Sequence, residues 1–337
     1  MSRTRVAIVR GGVSDEFAVS MRTGDAVLKN IDRKLFEPVD IIIAKNGEWI
    51  LDGRVRMPEY VLHSVDIVFN ALHGKFGEDG TIQRLFDRYA VPYTGSKAMP
   101  SGIAMNKVVT KNILRESGIK MAPHLRVSRE SADELGRIVE KITDTFGPQY
   151  IIKPVSSGSS VGTMSVKNPL LLHQALTDAL SHYDEVMVEA KIPGREATCG
   201  VVDRYRGQST YALPTIEIVV PHTTDFFDTE VKYNGSTKEI CPSCFDTCTK
   251  DEIERISCEV HNIIGLSQYS RSVFIVADDG IYFLEVNTLP GLTDESLFPK
   301  ALNAVGATHT DFVTHLLHDS LNTFGARRGA LQHTCHT

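Results

Sequence analysis

Glu285 and Asn287 stand two residues apart at the end of an apolar run, Ile281-Tyr282-Phe283-Leu284, and Thr288-Leu289-Pro290-Gly291 follows directly. In an extended strand residues i and i+2 share a face, so the carboxylate and the carboxamide point the same way. Both supply the hard oxygen donors that Mg²⁺ prefers, and a Pro-Gly turn brings backbone N–H groups close by. A strand ending this way suits a metal ion that carries phosphates. Taken singly, a Glu-x-Asn pair is more often an ordinary polar strand end.

Other segments carry compatible chemistry. Lys153 ends a second apolar run, Tyr150-Ile151-Ile152, and precedes a loop of small residues holding Gly158, Ser159, Ser160 and Gly162. Such a loop can fold N–H groups and hydroxyls over phosphate oxygens while the lysine adds a point charge. It is no Walker A loop, because no Gly-Lys-Ser/Thr opens a helix, and alone it reads as a flexible hairpin. Glu189 and Glu196 flank a strand-loop-strand and fit either ribose acceptors or a plain acidic edge. His73-Gly74 through Gly80, and Gly11-Gly12 through Glu16 with Ser20, each follow an apolar strand and lead toward a helix. That arrangement presents N–H groups to an anion. Lys232 and Tyr233 sit in a polar excursion over 221–240 that can close like a lid.

These residues need a framework, and the pattern supplies one. The first hundred residues alternate strand and helix: Arg5 to Val9, Glu16 to Ile31, Val39 to Ala44, Val65 to Asn70, Thr81 to Tyr89. The rhythm predicts a parallel sheet covered by helices. Pro92-Tyr93-Thr94-Gly95-Ser96 marks a boundary. A second unit holds helices Lys107 to Ser117, Ser131 to Phe146 and Pro169 to Leu180, with strands Tyr150 to Lys153, Thr163 to Val166 and Glu185 to Glu189. A third has longer strands, a helix from Lys250 to Ile264 and the hairpin that ends at Asn287. The division is 1–96, 97–190 and 191–325, with 326–337 read as an unstructured tail.

Composition narrows the class. The chain has 337 residues, 42% hydrophobic and 23% charged, with a formal net charge of −6, which gives no global attraction to nucleic acid. No apolar run reaches the roughly 20 residues of a membrane span, and the N-terminal Met1 to Arg5 is too short for a signal peptide. The expectation is a cytoplasmic protein. Of six cysteines, Cys241, Cys244, Cys248 and Cys258 cluster. With His261 they match half of a zinc framework, but no second pair completes it, so reduced thiols are the default.

The pieces follow one order: Gly11-Gly12 to Glu16, His73 to Gly80, Lys107, Lys153 to Gly162, Glu189 to Glu196, Lys232-Tyr233, Arg271, and Glu285 to Ser296. In that order the chain resembles the D-alanine–D-alanine ligases of the ATP-grasp superfamily. The resemblance implies an α/β (α+β) ATP-grasp fold with an N-terminal Rossmann-like parallel-sheet domain. It also implies ATP and Mg²⁺ (or Mn²⁺) as cofactors, D-alanine as substrate, a homodimer, and a place in peptidoglycan precursor synthesis without nucleic acid or membrane partners. By resemblance, ATP phosphorylates one D-alanine carboxylate and the amine of a second attacks the acyl phosphate. Lys107, Lys153, Ser160 and Lys232 would hold phosphates, Glu189 and Glu196 the adenosine, and Glu285 and Asn287 the metal. Glu16, with Ser159 and Tyr233, would take the first ammonium, and His73 would lie near its carboxylate. Arg271 and the Gly291 N–H would stabilise the oxyanion, and Ser296 with the Leu297 N–H would take the second carboxylate. Tyr233 favours the dipeptide product.

Two departures stand out. Asp228-Thr229 replaces the family's Asp-Tyr, and Arg271-Ser272-Val273 replaces Arg-x-Asp, whose aspartate is a metal ligand, in a segment one residue short. A three-residue Asp278-Asp279-Gly280 loop would set Val273 opposite Glu285 and Arg271 opposite Asn287. A two-residue Asp279-Gly280 loop would turn Val273 to the other face. Two alternatives therefore accompany the dipeptide ligase: a ligase-like nucleotide-binding protein with impaired catalysis, and a ligase that takes D-serine or D-lactate second.

Overall fold

The structure is a computed structural model and describes residues 3–156, 162–219 and 237–334. Three sheets organise it. The first has the order β4-β3-β2-β1-β5, from strands β1 (Thr4–Gly11), β2 (Phe36–Ile43), β3 (Trp49–Leu51), β4 (Arg54–Arg56) and β5 (Ile67–Asn70). β1 runs parallel to both β2 and β5. Flanked on both edges, its Val6, Ala7, Ile8 and Val9 are fully buried, the continuous apolar run expected of a central parallel strand. The sheet is not wholly parallel, since β2, β3 and β4 form an antiparallel meander. Its last turn is Asp52-Gly53, both at positive φ, the Asp-Gly pair that tight hairpins favour. β1 stops at Gly11, where φ is +88° and a Cβ would lie 2.4 Å from the Ile43 carbonyl oxygen. Ser20 clamps that corner, accepting from Gly11 N and donating to Ala71 O, each at 2.8 Å.

The second sheet is antiparallel, in the order β6-β9-β7-β8: β6 (His124–Ser128), β7 (Tyr150–Pro154), β8 (Met164–Val166) and β9 (Glu185–Ala190). Helices Leu135–Phe146 and Leu172–His182 share its core, with Ile142, Leu172 and Leu176 fully buried beside Tyr150, Ile152 and Val188. The third sheet runs β13-β12-β10-β14-β15, with β11 on the side of β10: β10 (Arg195–Tyr205), β11 (Gln208–Ala212), β12 (Ile216–Val219), β13 (Lys238–Ile240), β14 (Tyr269–Ala277) and β15 (Gly280–Asn287). Helix Thr247–Ile264 covers one face, with Ile253, Val260 and Ile264 packed among Phe274, Phe283 and Val286. Asp246 caps its start by accepting from Thr249 N at 3.0 Å, and Gly265 ends it at φ +75°.

Residues 326–334 overturn the expected tail, because they continue helix His309–Thr334. Ala, Arg, Leu and Gln in this stretch are good helix formers that extend an existing helix without a new nucleus. Ser159, Ser160, Lys232 and Tyr233 lie outside the described residues, as does Cys335.

Candidate active site

The site assembles around helix Lys107–Ile113, which joins the second and third sheets. Asn106 caps it, its side chain accepting from Val109 N at 3.0 Å, and Lys107 N donates to Val155 O just beyond β7. These bonds fix where the first lysine emerges. Lys107 reaches Glu285 of β15 at 3.5 Å. One turn on, Lys111 ion-pairs with Glu189 of β9, whose second oxygen lies 2.8 Å from Lys153 of β7. Residues i and i+4 share a helix face, so a single turn delivers one lysine to each sheet's carboxylate. Glu196 belongs to the same field: it sits on β10 opposite Ile275, and its charge acts on Lys153 and Arg271.

The charges hold one another ionised. Burial would raise Glu189, yet Lys111 and Lys153 outweigh it and bring it down to about 2. Burial would likewise raise Glu285, but Lys107, Lys153 and Arg271 hold it below the usual carboxylate range. Lys153 is pushed up, Glu189 and Glu285 overcoming its desolvation. Arg271 is pulled down by burial, and it donates to Thr198 Oγ1 at 2.9 Å.

The hairpin settles the register in an unexpected way. The loop is Asp278-Asp279, with Ala277 opposite Gly280, Val276 opposite Ile281 and Phe274 opposite Phe283. A bulge then leaves Leu284 without a partner, and Val273 meets Glu285 while Arg271 meets Asn287. Neither expected loop is the one observed, but the bulge restores the pairing that the three-residue loop implied. It also separates two tasks on one strand. Phe283 and Val286 point into the core with Phe274, whereas Glu285 and Asn287 share the other face with Arg271 and Val273. Lys120 holds the loop, bonding Asp279 at 2.7 Å.

Glu285 and Asn287 offer one carboxylate and one carboxamide oxygen, and Val273 across from Glu285 is 7% exposed and apolar. Among the described residues no three His, Cys, Asp or Glu side chains are grouped to hold a metal ion, which covers the Cys241, Cys244, Cys248 and Cys258 cluster as well. The donor pair fits Mg²⁺ that retains phosphate oxygens and water as its other ligands, a mode natural to this ion, and not a closed protein cage.

A cleft beside this strand is lined by Glu78, Met105, Lys107, Glu285, Asn287 and Thr288. Glu78 joins its two walls, accepting from Gly74 N at 2.7 Å and from Leu289 N at 3.0 Å. Burial first, and the nearby charge of Glu16 second, push its carboxyl up to about 8. Glu16 lies against the same loop, 2.4 Å from where a Cβ on Gly74 would stand. His73 is buried, its Nε2 2.8 Å from Thr23 Oγ1, and its carbonyl accepts from Ser14 Oγ. Gly291 abuts Ser296, whose Oγ is 3.0 Å from the position of a Cβ there; Ser296 and Leu297 open helix Leu297–Ala304. Sequence reasoning missed Lys111 and Glu78. The i, i+4 spacing from Lys107 was the available signal for the first, and Glu78 lay within the glycine-rich segment already singled out.

Lysines from one helix and from β7 meeting carboxylates of two sheets, next to a strand-end Glu-x-Asn and with an N-terminal mixed sheet built around a parallel core, define an ATP-grasp enzyme. The D-ala D-ala ligase N-terminus model matches residues 5–61 and 54–96, and the D-ala D-ala ligase C-terminus model matches 113–318. The D-alanine–D-alanine ligase of Geobacter sulfurreducens is 35% identical over 94% of each chain. The ATP complex of the Bacillus anthracis D-alanine–D-alanine ligase superposes with a TM-score of 0.78 at 30% identity, covering 97% of this chain and 100% of that one. The VanG D-Ala:D-Ser ligase from Enterococcus faecalis superposes with a TM-score of 0.81 at 27% identity, covering 95% and 100%. The chain belongs to the D-alanine–D-alanine ligase family, whose cofactors are ATP and Mg²⁺. Among the described residues no helix is long and apolar enough to cross a membrane.

Proposed function

We propose that the chain joins two D-alanines at the cleft between Glu78 and Asn287, with ATP lying over helix Lys107–Ile113. The observation that carries this reading is the pair of ionic contacts one helical turn apart, Lys107 to Glu285 and Lys111 to Glu189 with Lys153, which draws both sheets around one positive pocket. A carboxylate is a poor electrophile, so phosphoryl transfer to the first D-alanine creates a leaving group before the second amine attacks. Lys107 and Lys153 offset phosphate charge, and Glu189 and Glu196 border the adenosine, the first behind Lys153 near the adenine and the second on the ribose. Glu285 and Asn287 would hold Mg²⁺, which would supply the positive charge that offsets charge developing on the transferring phosphoryl group. Glu16 takes the first ammonium, and His73 lies near that substrate's carboxylate. Arg271 and Gly291 N–H face the developing oxyanion, a role that fixed donors fill at little reorganisation cost. Ser296 and the Leu297 N–H take the second carboxylate. Ser159, Ser160, Lys232 and Tyr233 complete this reading from outside the described residues. The division into units 1–96, 97–190 and 191–325, a homodimeric assembly and a cytoplasmic location belong to the same proposal.

The test is ADP release with D-alanine titrated against Mg²⁺, with product mass read in parallel. Turnover to the dipeptide supports the proposal; no ADP at any Mg²⁺ concentration overturns it. Val273 favours a second reading, a protein that binds nucleotide without turning it over. ATP binding without ADP release, with activity gained by Val273→Asp, is the outcome that selects it. The likeness to a D-Ala:D-Ser ligase makes D-serine the first competitor to offer as second substrate, beside D-lactate.

A further inference from the structure

Glu189 is buried at 2% exposure between two ammonium groups, one per oxygen: Lys111 on Oε1 and Lys153 on Oε2. The two lysines are not equivalent. The Lys111 side chain is 0% exposed, against 13% for Lys153, so only Lys153 can touch a ligand. A fully desolvated lysine is costly unless paired, and the partner here is Glu189. Its charge must therefore act through Glu189.

We propose that Lys111 is a positioning residue of the nucleotide site, satisfying Glu189 from behind so that the triad keeps one net positive charge and Lys153 has an ammonium to spare for phosphate. Burial pulls the Lys111 ammonium down and Glu189 opposes that; with Lys111 protonated on Glu189 the three groups sum to +1. Without it, Glu189 and Lys153 close into a neutral pair, and the pocket loses both the surplus charge and the freedom of Lys153 to turn. With both lysines present Glu189 is ionised against its burial, and with Lys111 removed Lys153 remains on its second oxygen. The consequence falls on the phosphates and not on the base. This inference rests on the nucleotide lying over Lys107 and Lys153, as proposed above.

The experiment compares the affinities of ATP with Mg²⁺ and of adenosine, by calorimetry, in the full-length protein and its variants. Lys111→Met is expected to weaken ATP at least about tenfold more than adenosine, the scale of one unit charge acting across a partly desolvated site. Adding Glu189→Gln to Lys111→Met releases Lys153 and returns the ratio of the two affinities toward the parent's; lost packing would not be rescued this way. Lys111→Arg keeps the charge and the ratio. If Lys111→Met does not fold, Glu189→Gln alone decides, because it leaves two unopposed lysines and shifts the ratio in favour of ATP. Equal weakening of ATP and adenosine by Lys111→Met, or no recovery in the double variant, overturns the inference. Lys153→Met separates the two proposals: if it leaves ATP affinity unchanged, the placement of the nucleotide is what fails. If it weakens ATP while Lys111→Met and Glu189→Gln leave the ratio alone, the placement stands and the role of Lys111 falls.

Discussion

A cation held at the end of β15 would meet one carboxylate, one carboxamide and, across the ladder, the methyl groups of Val273. Its retention then leans on the phosphates that arrive with it, so metal and nucleotide should bind together. Val273→Asp is expected to lower the Mg²⁺ concentration for half-maximal ADP release by about tenfold, the effect of one added charged ligand. Mn²⁺ binding without nucleotide, followed by electron paramagnetic resonance, should appear in the variant and be weak in the parent. The same variant should unfold more easily in metal-free buffer, by roughly 1–3 kcal/mol, because it places an unpaired carboxylate at a buried position. Glu285 and Asn287 were legible as a pair because strand alternation fixes which side chains share a face. Lys111 was not, since burial of a charge is a tertiary fact and a second lysine on a helix is usually solvated.

Helix Lys107–Ile113 is short and depends on its cap, which makes it a sensitive element. Asn106→Ala removes the acceptor for Val109 N and is expected to cost about 1 kcal/mol in urea unfolding. It should also raise the KM for ATP more than it lowers kcat, because the bond sets where Lys107 leaves the helix; Asn106→Asp should recover both. At the corner after β1, Gly11→Ala combines a positive φ with a carbonyl 2.4 Å from the new Cβ. A loss of roughly 2–4 kcal/mol is expected, read from the urea midpoint. Strong periodicity made most helices readable, including Phe17–Asn30 and Thr247–Ile264. Helix Ala98–Met105, with Pro100 and Gly102 inside it, and the three-residue strands β3 and β4 were not, because their local preferences are weak and the surrounding sheet holds them.

Across the whole molecule, Glu78 ties the loop after β5 to the residue pair beyond β15, through Gly74 N and Leu289 N. Its carboxyl, ordinarily near 4.5, stands at about 8 in the fold. The folded protein therefore holds a proton there that the unfolded chain has released. Stability from this group is full below the ordinary value and is lost as pH rises through about 8. Glu78→Gln cannot titrate, so its unfolding free energy relative to the parent should improve by about 1–3 kcal/mol between about pH 5 and pH 8.5. Denaturant unfolding at the two pH values checks it, and a constant difference would contradict the assignment. That tie joins positions over two hundred residues apart, which no local pattern reveals. The unpaired Leu284 matters on this scale too. Because two residues of β15 face one of β14 there, the length of the loop and the placement of Glu285 are uncoupled. A hairpin loop one residue longer or shorter can therefore be absorbed at the bulge while Glu285 and Asn287 keep their face and their partners Val273 and Arg271.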